Sequence, residues 1–382
     1  MDTARFTVSE QSTTRVTLAV DTAENHYDVW FEFSAEIDVP PPPSAIALVA
    51  AALSGQRYRS IELAFPVDSD TLSIVRAFTA AEVKAEETSP RPGRIRRGHL
   101  LSFSGGFDSL ATLALMPPDT HLVSIDFGGH FSREAAFFQK FDPLVVTTNV
   151  RQTPLVHNSW AFMAIGELLT SHHFNAKYHS FGSILASSIS KPPLPGTFSL
   201  TRAAGMIGAD YARGITEIGT VSVLLRAYPE LVLESLDSLA GPNDEKLVRK
   251  ELLVRTLAKE MGIETSMPPQ ALARDAPVQF GNHLANDFVS TYLLAGRRLS
   301  PESVASHFAG VPEGLVEKLH SMTLRFMDRF NPDFYEHFPS ELKPALFHRF
   351  AELGIEPYAS DDWAEFAVLK SQLLAVQSSP SS

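Results

Sequence analysis

From residue 99 onward, short apolar runs alternate with segments of helical periodicity. Leu100–Phe103 is a short apolar run that ends in a glycine-bearing turn, and Asp108–Met116 follows with helical character and stops at Pro117-Pro118. Leu122–Asp126 is a second strand pattern closed by Gly128-Gly129. Ser132–Phe141 is a second helix pattern with Ser132 as its N-cap, and Leu144–Thr148 is a third strand pattern. The strand patterns start at 100, 122 and 144, a spacing of about 22 residues, the size of a compact strand–helix unit. This βαβαβ order predicts a parallel sheet with helices on both faces, an α/β class. Asn158–Phe174 reads as a longer helix, Lys177–Phe181 as a fourth strand and Leu231–Ser235 as a fifth. Gly182–Thr220 lacks a clear period and reads as an active-site loop, and Asp244–Met261 as an amphipathic helix ended by Gly262.

Before residue 90 the pattern is α+β. Arg15–Val20, Tyr27–Ile37 and Ser60–Pro66 read as strands. Ser44–Leu53, with Ser44 as N-cap, and Ser69–Glu86 read as helices. Along the chain this predicts an N-terminal α+β region over 1–90 and a linker over 91–98. An α/β domain over 99–265, a mainly helical region over 266–376 and a disordered tail over 377–382 follow.

Composition narrows the function. The 382 residues contain no cysteine, which excludes disulfides, thiolate metal sites and thiol catalysis. A net charge of −12 disfavours broad nucleic-acid binding. The basic stretch with Arg91, Arg94, Arg96 and Arg97 reads as a solvated linker before it reads as a phosphate-tracking patch. No apolar run of about 18 residues occurs, and Met1–Arg5 lacks a basic-then-apolar signal pattern. The expectation is a cytoplasmic protein with no membrane partner.

The stretch that carries chemistry is Ser104-Gly105-Gly106-Phe107-Asp108-Ser109, between an apolar strand and a helix. Ligands of open parallel sheets bind at the carboxyl ends of strands. Two glycines let the backbone approach a ligand, and successive N–H groups at a helix start cradle an anion. Ser104 and Ser109 add hydroxyls. Asp108 would repel bare phosphate, so it is assigned to Mg²⁺. The plainer alternative is a glycine turn capped by Ser or Asp.

This six-residue stretch resembles the SGGxDS loop of the ATP pyrophosphatase (PP-loop) superfamily, which includes asparagine synthetase and the 7-cyano-7-deazaguanine synthases. The resemblance covers about residues 95–265. It implies a Rossmann-like fold and cleavage of ATP between its α- and β-phosphates. A substrate oxygen would be adenylated with release of pyrophosphate, and an amine or ammonia would then displace AMP. Such a protein is an adenylate-forming, C–N bond-forming ligase with ATP and Mg²⁺ as cofactors.

The resemblance places ATP contacts at Ser102, Phe103, Ser104, Gly105, Gly106, Phe107, Asp108 and Ser109, and adenine contacts at Ile125, Asp126 and Phe127. Gly182 matches a position where backbone stays close to the nucleotide. Lys246 and Arg249 would act beside Asp108 as catalytic cations that offset charge on pyrophosphate; Lys250 shares a helix face with Lys246 and ranks below it. The bland reading of all three is a solvated helix face. Lys191, Arg202, Asp210, Arg213 and Glu217 are unranked candidates for substrate recognition. His130 reads as a loop histidine, and His172, His173 and His179 fit no ligand spacing. The C-terminal phenylalanines read as helix packing.

The deazaguanine nitrile-forming members carry a four-cysteine zinc site that this chain lacks. The expected substrate is a small molecule or peptide. An ammonia-supplying partner and a homodimer stay open. The alternatives are a nucleoside- or tRNA-modifying enzyme with the same activation, and a nucleotide-binding module without turnover.

Overall fold

The computed structural model describes residues 3–90, 96–129, 132–185, 198–239, 245–267, 277–281 and 284–378. Its fold is α/β with a large, mostly parallel sheet. Contacts divide the chain into two units. The first takes Met1–Ser104, Pro117–Phe181 and Gly196–Asp210; the second takes Gly105–Met116, Gly182–Pro195 and Tyr211–Ser382. This is not the linear division into an N-terminal region, a nucleotide-binding domain and a helical region. Strands from residues 1–90 and from 98–208 pair into one sheet, which no boundary at 91–98 can separate.

The first unit holds that sheet. Its strands are β1 (Thr3–Gln11), β2 (Arg15–Thr22), β3 (His26–Phe33), β4 (Ser60–Leu63), β5 (Glu82–Lys84), β6 (Gly98–Ser102), β7 (His121–Asp126), β8 (Leu144–Thr148), β9 (Ala176–Ser180) and β10 (Ile207–Gly208). The order across the sheet is β10-β9-β6-β7-β8-β3-β2-β1-β4-β5. Six of the nine neighbouring pairs are parallel. The antiparallel pairs are β1–β2, β2–β3 and the junction β3–β8, where Val146 faces Phe33. Counted from β6, the later strands lie in the order third, second, first, fourth, fifth. Chain direction across the sheet therefore switches between β6 and β9, the place where open α/β sheets bind ligands.

Helices of this unit are α1 (Pro43–Ser54), α2 (Ser69–Thr79), α4 (Ser132–Phe138), α5 (Ile165–Thr170) and α6 (Ser199–Ala203). Helix α1 is apolar all round, and Ala45 to Ser54 are each at most 1% exposed, as a wholly interior helix requires. Each fully buried Leu, Ile or Val there contributes about 1.5–3 kcal/mol. Gly166 lets α5 lie on β7, since a Cβ would come within 2.7 Å of Val123 Cγ1.

Several sequence expectations shift. The cap of α1 is Pro42 rather than Ser44, because Pro43 already sits in the first turn. Helix α2 stops at Ala80, in the left-handed region, and Glu82–Lys84 becomes an edge strand on β4. Asn158–Phe174 breaks into a 3-10 turn, Trp160–Ala164, capped by Ser159, and the short α5. The strand β1 was not among the predicted elements. Helix α4 begins at Ser132 itself. The expected loop 182–220 contains α6 and β10, and its residues 186–197 lie outside the described ones, as do Arg91, Arg94, His130, Lys191 and residues 379–382.

The second unit is mainly helical: α3 (Phe107–Leu115), α7 (Glu217–Ala227), α8 (Val232–Leu239), α9 (Glu245–Met261), α10 (Leu284–Leu294), α11 (Pro301–His307), α12 (Glu313–His320), α13 (Lys343–Glu352) and α14 (Ser360–Ser378). Helix α3 packs on α7, and α7 packs on α9. The fifth strand expected at Leu231–Ser235 is α8 instead. Val232, Ser235 and Leu236 are buried while Glu234 and Asp237 are exposed, a period of three to four rather than two. Gln377 and Ser378, expected in a disordered tail, close α14. Phe330 and Phe350 stack in this unit's core with ring centroids 4.5 Å apart, and Tyr335 meets both edge-on. No helix among the described residues is long and apolar enough to cross a membrane.

Candidate functional site

The glycine-rich stretch turns the chain from β6 into α3. Ser104 is the last residue of its segment in the first unit, and Gly105 opens the second. Gly105 has φ +77°, a left-handed angle that costs a side chain about 1–2 kcal/mol. Gly106 occupies the N-cap position of α3, and no side chain caps the helix there. Gly106 offers no side-chain oxygen to the first turn of α3, and a helix N-terminus is a place that suits an anion. Ser109 is buried and its hydroxyl donates to the Gly106 carbonyl at 2.9 Å. The Ser235 hydroxyl on α8, also buried, donates to the Gly105 carbonyl at 3.0 Å, so the turn is held from below. Gly182 lies against the same helix start: a Cβ there would be 3.0 Å from Ser109 N.

Asp108, in the first turn of α3, meets side chains from α7 and α9. Lys250 Nζ is 3.2 Å from Glu217 Oε1 and 3.9 Å from Asp108 Oδ1. Thr220 Oγ1 lies 3.2 Å from Asp108 Oδ1 and 2.9 Å from the Glu217 carbonyl. The ammonium also lies 5.0 Å from the centre of the Phe107 ring, a cation–π distance. Lys250 is only 4% exposed, whereas Asp108 keeps 36% of its side chain exposed. The cluster therefore has a closed side formed by Lys250 and Glu217 and an open side at Asp108.

The charges support one another unevenly. Burial disfavours the charge on Lys250, but Asp108 and Glu217 outweigh it and hold the amine above its usual value. Burial also opposes ionisation of Glu217, yet Lys250 and then Arg249 hold its carboxyl below the usual range. Asp108 goes the other way: surrounding protein raises it, and Lys250 offsets this only in part. Lys246 favours the ionised form of both carboxyls from an exposed position. Arg249 is 7% exposed and pairs with Glu245 at 3.6 Å.

The sequence reading ranked Lys246 over Lys250, and the ammonium nearest Asp108 is that of Lys250. Its position was legible in the apolar stripe Leu247, Lys250, Val254 and Leu257, which points one face of α9 inward. Thr220 was missed, and Glu217 was one unranked candidate among five. Nothing in a single strand of text links them to Asp108, about 110 residues away.

Other residues have separate settings. Phe103 is a core residue, 2% exposed, whose ring meets Phe141 edge-on at 4.9 Å. Ser102 ends β6, partly buried, and Ser104 is exposed. In the first unit, Ile125 packs on the core, Asp126 Oδ1 accepts from Gly128 N at 2.8 Å, and Phe127 meets Phe162 at 5.4 Å. Arg202 and Asp210 also belong to the first unit, and Arg213 to the second. Among the described residues, no group of three His, Cys, Asp or Glu side chains could hold a metal.

Comparison with protein-family models, with curated proteins and with solved structures finds no match to this chain.

Proposed function

We propose that the chain is an ATP-dependent, adenylate-forming ligase of the PP-loop type. The observation that carries this reading is a buried ammonium, Lys250, anchored by Glu217 and set beside Asp108 and Phe107 in the first turn of α3, just after the Gly105-Gly106 turn. First-turn amides and a desolvated cation suit an anion whose charge grows as it departs, which is what pyrophosphate does. No Walker lysine pattern accompanies the loop, so γ-phosphoryl transfer lacks its usual apparatus.

In the proposed reaction a substrate oxygen attacks the α-phosphorus. The bond from that phosphorus to the bridging oxygen of the β-phosphate breaks, and pyrophosphate leaves with the electron pair. An amine then attacks the activated carbon, its proton passes to solvent or a base, and AMP leaves. Lys250 and the α3 amides hold the pyrophosphate, Lys246 screens it from the exposed side, and Glu217 fixes the Lys250 ammonium. Asp108 offers one partly exposed carboxylate, a donor set that fits Mg²⁺ held mostly by phosphate oxygens. Mg²⁺, when bound, would neutralise part of the charge on the leaving group. Asp108 does not depend on a metal for a cation, since Lys250 already supplies one.

The test is product analysis after mixing with Mg-ATP and candidate carboxylate or amide substrates plus ammonia. AMP and pyrophosphate without ADP are expected. ADP and orthophosphate would reject the reading.

A further inference from the structure

The first unit carries a groove that the ATP reading does not use. Two adjacent cavities, of about 840 Å³ and about 580 Å³, share Ile74 and Arg202 as lining residues. Both fall in the size range of small-ligand sites. Their linings differ in chemistry. The smaller is aromatic: Trp160 keeps 65% of its surface exposed while leaning on Phe198 at 5.0 Å, and Phe198 meets Phe78 edge-on at 5.8 Å. The larger is lined by Arg96, His172 and Arg202, with Ser44 in the first turn of α1.

Two carboxylates, Asp68 and Asp70, line the larger cavity as well. Asp68 is committed to capping α2, accepting from Thr71 N at 2.9 Å and from the Thr71 hydroxyl at 2.8 Å. Arg96 is braced by the Ala176 carbonyl at 3.3 Å and by His172 Nε2 at 3.2 Å, which fixes its guanidinium at the wall. The Arg202 side chain makes no hydrogen bond or ion pair with any described residue, and it lines both cavities.

We propose that this groove binds a nucleoside phosphate, its base stacked on Trp160 and its phosphate turned toward Arg202 and Arg96. An exposed indole braced by other rings is a stacking platform for any base. Arginines beside it supply the planar donors that phosphate takes best. The proposal stands apart from the cluster of Asp108, Glu217, Thr220 and Lys250, which lies in the second unit and contains none of these residues. The same chemistry could come from a free nucleotide or from the end of a nucleic-acid strand. The net charge of −12 argues for one end-bound residue rather than a tracked backbone.

The experiment titrates AMP, UMP, ribose 5-phosphate and a 5′-phosphorylated trinucleotide against the full chain, read by calorimetry and tryptophan fluorescence. AMP and UMP should quench the signal of Trp160, and ribose 5-phosphate should bind about tenfold or more weakly, for want of a base. Trp160→Ala and Arg202→Ala should each weaken UMP by about tenfold or more. A trinucleotide that binds as tightly as UMP supports the site with a strand end as its ligand; a trinucleotide that fails supports it with a free nucleotide. UMP affinity that survives both Trp160→Ala and Arg202→Ala, with circular dichroism unchanged, overturns the proposal. So does the absence of any nucleotide binding in a wild-type chain of native melting behaviour.

Discussion

Each unit of this protein buries a pair of ionisable side chains, and the two pairs differ in what they can do. In the second unit Lys250 faces Glu217 and Asp108, and Asp108 opens toward solvent beside the start of α3. In the first unit His179 Nδ1 lies 3.4 Å from Glu167 Oε2, and both side chains are 0% exposed. The other ring nitrogen lies 2.9 Å from the Thr201 hydroxyl, which donates to the Phe198 carbonyl and so accepts from the imidazole. A hydroxyl, an imidazole and a carboxylate in line look like catalytic geometry, but no substrate can reach a sealed triad whose hydroxyl proton is already placed. A buried ionisable pair is therefore a poor guide to a site; an open side at a glycine-bearing helix start is a better one.

The largest effect is expected from Lys250→Met. It leaves Glu217 buried without its cation, which should cost about 3–5 kcal/mol of stability by urea denaturation, and pyrophosphate release should fall about 10³-fold. Adding Glu217→Gln should restore most of the stability and none of the rate. A double variant that regains its rate would make the second-unit cluster as purely structural as the first-unit pair.

Asp108→Asn should slow pyrophosphate release about 10²-fold, roughly 3 kcal/mol in barrier, while the fold survives. Burial holds this carboxyl above its ordinary value, so its ionised form weakens the fold as pH rises through that value. At neutral pH the variant should melt at the wild-type temperature or slightly above it. A clear drop in melting temperature with an unchanged rate would assign Asp108 to structure alone.

Glu167→Gln tests the sealed pair. Burial opposes charge on His179, but Glu167, with help from Asp210, raises it above the ordinary histidine value. The stabilisation is complete below the unfolded histidine value of about 6.5 and is lost as pH rises through the higher folded value. The variant should therefore lose about 2 kcal/mol near pH 5.5 and distinctly less near pH 9, by chemical denaturation at each pH. Its rate of pyrophosphate release per folded molecule should match the wild type. A rate loss as large as that of Asp108→Asn would erase the distinction between the two pairs.

Gly105→Ala should have the smallest effect, about 1 kcal/mol of stability from the left-handed angle at that position. Ser235→Ala, which removes the brace on the same carbonyl, should cost a similar amount. An unchanged melting temperature for both would mean that the turn relaxes freely and is not preorganised.

Local features were legible in the amino-acid sequence because neighbouring residues decide them. The strand Leu144–Thr148 was read to the residue, and α3 to within one residue at either end, from apolar runs and from Pro117-Pro118. The glycine-bearing turn before α3 needed only its own residues and a strand ahead of it. Tertiary structure decided what lies far apart along the chain. Strands β3 and β8 join two halves of the sheet across more than 110 residues, through backbone hydrogen bonds that carry no sequence code. Leu231–Ser235 had an apolar content that suits strand or helix, and packing of Val232 and Leu236 resolved it as helix. Lys246 and Lys250 are equivalent by spacing, one helical turn apart; only the packing of α9 against α7 leaves Lys246 on the exposed face and seals Lys250 beside Glu217 and Asp108.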